Sequence, residues 1–246
     1  MKFCSIALAY YPNVLDEDRE CQKKSIDHLM KVIQASALLK INLVTTFIGR
    51  NKNLNITDNL ELAENVWKPI LEYAESLNVK IAIENCPMLF TEDEWPGGKN
   101  IAVSPAIWRE LFKRLPSEYL GLNFDPSHFI WQEMDYIRPL YEFKDKIFHV
   151  HYKDIRVDKE ARNEVGVLAT PLSYMVPCIP GHGDVNWARY ISALLEIGYQ
   201  GAACIEVEDK SFEDNNENIE NSLKISRQYL KQFIHFPEKG RQYAKD

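Results

Sequence analysis

Three carboxylates and one imidazole stand at the ends of stretches that alternate like β-strands. In Lys80 to Cys86, Ile81 and Ile83 take one face while Ala82 and Glu84 take the other; in Tyr119 to Asp125, Leu122 and Phe124 oppose Gly121, Asn123 and Asp125. In Ala203 to Glu208, Ile205 and Val207 oppose Cys204, Glu206 and Glu208. In Ile147 to Asp154, Phe148, Val150 and Tyr152 oppose His149, His151 and Lys153. The shared parity brings Glu84, Asp125, His151 and Glu206 to one level. Carboxylates gathered this way repel unless a cation or a proton joins them. A divalent metal meets that need, and three oxygen donors with one imidazole suit Mn²⁺, Mg²⁺, Co²⁺ or Zn²⁺. The bland alternative is three separate carboxylates that cap helices or pair with lysines. It explains each residue singly, but not the four together.

The elements that must carry these residues alternate. Strands are expected at Phe3–Tyr11, Ile41–Ile48, Val79–Cys86, Tyr119–Asp125, Ile147–Asp154 and Ala202–Glu208, with a short one around Tyr174–Cys178 in an irregular stretch from Asp158 to Pro180. Helical stripes fall at 18–39, from a cap at Asp58 or Asn59 to Leu77, after Ser104-Pro105, at 135–146, after Asn186 and from Glu217 to about Phe233. Pro69 should kink or restart the second of these. This βα alternation, with polar residues at several strand ends, predicts one domain over residues 1–246: an α/β (β/α)8 TIM barrel. An open sheet would gather its polar residues at one switch point. Seven strands at most can be counted, so the first βα unit is either absent or misassigned.

A formal charge of −7 argues against nucleic acid, and no apolar run is long enough to span a bilayer. The five cysteines are scattered without a Cys-x-x-Cys pair, which fits a reducing, cytoplasmic setting. The expected partner is a small sugar or polyol, with no nucleic acid and no membrane, and the chain is expected to form a homo-oligomer.

The ordered motifs Ile83-Glu84-Asn85, Asp125-Pro126-Ser127-His128, His151-Tyr152-Lys153-Asp154, Gly181-His182-Gly183-Asp184 and Ile205-Glu206 resemble the xylose-isomerase-like barrel superfamily, most of all its sugar-phosphate isomerase and epimerase group. That group includes ketose 3-epimerases and inosose dehydratases. The resemblance implies that Glu84, Asp125, His151 and Glu206 are metal ligands, that His128 contacts substrate or supports the ligands, and that Lys153 touches substrate or the ligand shell. It departs from the epimerases in two places. Apolar Phe90 stands where they carry an acidic residue, and Arg156 only approximately meets their arginine.

His182, between two glycines that let backbone approach a ligand, is a candidate substrate contact. His149 reads as a hydrogen-bonded core histidine, Lys153 and Asp154 alternatively as a rim salt bridge, and His28 and His235 as surface residues. Tyr10, Tyr11, Trp95 and Trp131 are candidate pocket walls. The expected activity is metal-dependent isomerisation or epimerisation of a ketose or related polyol through a cis-enediolate, with Glu84 and Glu206 as acid and base. An inosose-type dehydratase and a non-catalytic sugar-binding protein with a degenerate barrel are the alternatives. A multi-metal nuclease would need histidines on early strands, and apart from His28 none precedes His128.

Overall fold

The strand-end residues are carried by a parallel sheet. The computed structural model describes residues 3–7, 13–89 and 91–234; Tyr10, Tyr11, Phe90 and His235 lie outside the described residues. After β1 (Ile6–Ala7), β2 (Leu43–Thr46), β3 (Lys80–Glu84), β4 (Leu120–Phe124) and β5 (Ile147–Tyr152) each pair in parallel with the strand before. β6 (Asp154–Val157) and β7 (Met175–Cys178) then leave the sheet as an antiparallel pair, and β8 (Ala202–Ile205) returns to lie parallel beside β5. The main sheet therefore has six strands in the order β1-β2-β3-β4-β5-β8. Its architecture is that of a partial TIM barrel, with β1 and β8 at the edges among the described residues. The seventh strand expected around Tyr174–Cys178 exists, but as β7 in the side hairpin. Pro177, opposite Ile155, donates nothing to a ladder, which suits a two-stranded ribbon better than an inner barrel strand.

Helices fill the connections: α1 (Arg19–Leu38), α2 (Ile56–Ser76), α3 (Pro105–Arg114), α4 (Ser127–Ile130), α5 (Arg138–Glu142), α6 (Lys159–Val165), α7 (Trp187–Glu196) and α8 (Asn216–Leu230). The short α6, capped by the Asp158 side chain on Ala161 N–H, lies in the stretch expected to be irregular. Seven residues are too few for a periodic stripe to be read. α2 starts earlier than expected, because Asn55 and not Asp58 or Asn59 caps it, accepting from Asp58 N–H at 2.9 Å. Asn59 is buried one turn in, where its amide ties the preceding loop through Asn51 and Leu54. Pro69 neither breaks nor restarts α2. The Asn65 carbonyl that it leaves without an N–H belongs to an exposed residue, where solvent can take the place of the lost donor. Asn55→Ala is expected to cost about 1 kcal/mol, the ordinary value of an N-cap, read from the denaturation midpoint.

The core lies between sheet and helices. Phe124, on the face of β4 opposite Asn123, meets Trp108 of α3 edge-on at 5.9 Å and stacks on Phe129 of α4 at 5.2 Å. Trp67, Trp187 and Tyr190 are fully buried in the same layer. The alternation read from the sequence is thus the division between core face and site face.

Candidate metal centre

Glu84 closes β3, Asp125 follows β4 by one residue, His151 is in β5 and Glu206 follows β8 by one residue. One ligand-type atom from each of the four lies within 4.8 Å of the others. His151 Nδ1 is 2.8 Å from Glu206 Oε2, 3.6 Å from Glu84 Oε1 and 3.8 Å from Asp125 Oδ2. These are not satisfied hydrogen bonds. Asp125 Oδ2, His151 Nδ1 and Glu206 Oε2 are all buried and hydrogen-bonded to nothing. Native interiors rarely leave such atoms without partners, and three of them aimed at one point fit a cation that would serve them all. Three carboxylate oxygens with one imidazole are a donor set that suits Mn²⁺, Mg²⁺, Co²⁺ or Zn²⁺.

The four residues are fixed from behind. Asn85 and Asp125 bond reciprocally, Asn85 Nδ2 donating to Asp125 O at 2.9 Å and Asp125 N–H to Asn85 Oδ1 at 2.8 Å, which locks the ends of β3 and β4 together. Asn100 Nδ2 donates to the carbonyls of Glu84 and Cys86. Asn123 Nδ2 lies 3.1 Å from His151 Nε2, and Asn123 Oδ1 is 2.8 Å from His149 Nδ1, whose other nitrogen is 3.3 Å from Ser5 Oγ. His149 is therefore buried support, and burial pushes its pKa down to about 4. Asn85 and Asn100 had no periodic signal to reveal them. Asn85 has the wrong parity for the site, and Asn100 lies in a loop.

His128, in α4, is 3.5 Å from Asp125 Oδ2 and 3.7 Å from Glu84 Oε1. Lys153 is buried and shares Asp125 with His128, lying 2.9 Å from Glu208, 3.7 Å from Glu206 and 3.8 Å from Asp125. The two were singled out in the sequence, and both line a cavity of about 600 Å³ with Glu84, His151 and Glu206. Trp131 lines it too, whereas Trp95 lines a neighbouring cavity. His182 is not brought to the cluster; it is exposed, with its ring 6.2 Å from Phe212. Arg156 is exposed on β6.

The glycines around His182 serve packing. A Cβ at Gly183 would collide with the Asp154 carboxylate, and Gly181 has φ +96°. Asp154 itself is wholly buried rather than part of a rim ion pair.

Burial alone would discharge these groups, yet their neighbours outweigh it. His151, His128 and Lys153 hold the Glu84 carboxyl far below the ordinary range, and His128, Lys153 and His151 hold Asp125 down at about 2. Against the same burial, Glu84, Asp125 and Glu206 push His151 well up, and Cys86 and Asp125 push His128 up to about 10. A cation entering at His151 must displace its proton. Below the raised His151 pKa, affinity should therefore climb about tenfold per pH unit across neutrality. Calorimetric titration in buffers of different ionisation enthalpy checks this through the released proton.

A partial TIM barrel with ligand-type residues on neighbouring strand ends defines a class of protein, and comparison assigns this chain within it. The chain belongs to the xylose isomerase-like TIM barrel family, whose description matches residues 1–231. It is 30% identical to YfiH of Bacillus subtilis (strain 168) over 180 residues, 68% of this chain and 51% of that protein. It is 27% identical to an inosose dehydratase of Lactiplantibacillus plantarum over 117 residues, 47% of this chain and 38% of the relative. The matches thus span about half or less of these relatives' length. Among solved structures, IolI protein with a bound zinc atom superposes with a TM-score of 0.70 at 17% identity, over 94% of this chain and 76% of that one. A D-tagatose 3-epimerase-like protein gives 0.67 at 19% identity, over 93% and 76%. At these identities the superpositions establish the fold.

Proposed function

We propose that the protein is a divalent-metal-dependent isomerase or epimerase of a ketose or related polyol. The observation that carries this reading is the convergence of Glu84, Asp125, His151 and Glu206, three of them with buried atoms that make no hydrogen bond. A bound divalent ion would supply the positive charge that stabilises the oxygen left negative when a proton leaves the carbon beside a carbonyl. Glu84 and Glu206 are the proton carriers: one removes the proton and the other returns one. His128 and Lys153, whose polar atoms face the same space, orient the substrate hydroxyls. Trp131 and Met88 give that space an apolar wall.

The likeness to inosose dehydratases favours a second reading, in which the same proton removal is followed by loss of a neighbouring hydroxyl. One experiment treats both. Metal-loaded protein is incubated with ketoses and keto-inositols in deuterated water and the products are followed by mass and proton spectra. Deuterium entering beside the carbonyl with the mass otherwise unchanged is expected for isomerisation, and loss of water for dehydration. Chelation should stop either one. No exchange with any such substrate while the metal stays bound would overturn both readings.

A further inference from the structure

Beyond the four converging residues, a second set of donors meets at Glu84, whose Oε1 lies 3.6 Å from His151 Nδ1 and 3.7 Å from His128 Nε2. Glu84, Cys86 and His128 each place one ligand-type atom within 4.8 Å of the others. Parity does not unite these residues, since Cys86 lies past the end of β3 and His128 is in α4. Local structure does. Cys86 Sγ accepts from Met88 N–H at 3.4 Å, across a turn in which buried Met88 has φ +62°. Asn100 holds the carbonyls on both sides of this segment through one amide nitrogen. Cys86 is half-buried and lines the main cavity.

The independent sign is His128. It is only 7% exposed, and its Nε2 is buried without a hydrogen bond while lying 3.7 Å from Glu84 Oε1. A buried imidazole nitrogen that carries a lone pair or a proton to no partner is costly. Asp125 Oδ2, the other carboxylate oxygen nearby, is 3.5 Å away and likewise makes no hydrogen bond. The nitrogen and the thiol face common ground with Glu84.

The geometry points to a second cation site made by Glu84, Cys86 and His128, taking a thiophilic ion of the zinc and cobalt class and sharing Glu84 with the first. Thiolate, imidazole and carboxylate together select such ions over Mg²⁺ and Mn²⁺, which prefer oxygen. Three protein ligands leave one tetrahedral position open to water or substrate. Binding there withdraws His128 from the cavity, so zinc-class ions in excess block the access of a small ligand while Mn²⁺ does not. The site does not depend on which reaction the first centre performs.

The test is a Co²⁺ titration of the stripped full-length chain, followed by absorption and by elemental analysis after dialysis. The expected result is two cobalt ions per chain and a near-ultraviolet sulfur-to-cobalt charge-transfer band. In C86S, and in C86A as a second variant, the band disappears and one cobalt remains. His128→Gln should weaken the second binding step tenfold or more, and Mn²⁺ should bind with a stoichiometry of one throughout. Absence of the band in the unaltered chain would overturn the proposal. So would a band that survives both cysteine substitutions, because Cys4, Cys21 and Cys204 are exposed thiols able to produce it.

Discussion

Asp125→Asn is expected to strip the metal centre and to bring deuterium exchange down to the rate without protein. The two oxygens of Asp125 have different partners. Oδ1 accepts from Ser127 N–H at 2.8 Å, whereas Oδ2 is buried, makes no hydrogen bond and faces His128, His151 and Lys153. Asparagine keeps the first contact with its own oxygen, which turns its NH₂ toward the cation position. The substitution thus removes a negative ligand and puts hydrogens where a lone pair is needed. Losing a partner behind a ligand costs 10–100-fold in affinity, and loss of the ligand itself should exceed about 100-fold. Elemental analysis and the metal-induced rise in melting temperature read this directly, since a ligand that binds only the folded chain raises its stability. A variant that keeps its metal and its melting shift would remove Asp125 from the site. Asn123→Ala is the comparison: it deletes the amide between His149 and His151 and should fall within the 10–100-fold range.

The convergence of the four residues is legible in the sequence because its signal is periodic. Residues two apart on a strand share a face, so Glu84, Asp125, His151 and Glu206 could be set at one level without knowing how the strands pair. The same rule separated His151 from His149 one step below it. What stayed hidden depends on contacts without a period. Asn85 is on the core-side parity of its strand and was hidden by it, although its side chain reaches Asp125 at the strand end. The glycines flanking His182 suggest a close approach to a ligand, whereas Gly183 is needed for the approach to Asp154. The sequence predicts a strand only as far as Asp154, the first residue of β6, and counts β7 with the barrel strands, because alternation describes a strand's faces and says nothing about its partner. The seven strands expected are therefore the six of the parallel sheet and β7 of the hairpin.

Asp154→Asn should be the most damaging single substitution outside the site. Its carboxylate is wholly buried and takes four donors: Ile155 N–H at 2.9 Å and Val185 N–H at 3.0 Å on Oδ1, Gly181 N–H at 2.9 Å and Trp187 Nε1 at 2.8 Å on Oδ2. These bonds pin the turn between β7 and α7 to the start of β6, directly behind Lys153. Burial pushes the Asp154 carboxyl up against the pull of these donors, and only an oxygen on each side satisfies all four. Asparagine has one oxygen, and whichever way its amide lies, its NH₂ meets two N–H groups. Two buried donors left unsatisfied cost about 1–3 kcal/mol each, hence about 2–6 kcal/mol in all. That is a large part of the roughly 5–15 kcal/mol by which a domain is stable. A rim ion pair with Lys153 would predict about 0–1 kcal/mol instead. The denaturation midpoint of the variant decides between these values. Asp184→Ala is the control, because exposed Asp184 accepts only Val157 N–H among these contacts, and water can take its place at a smaller cost.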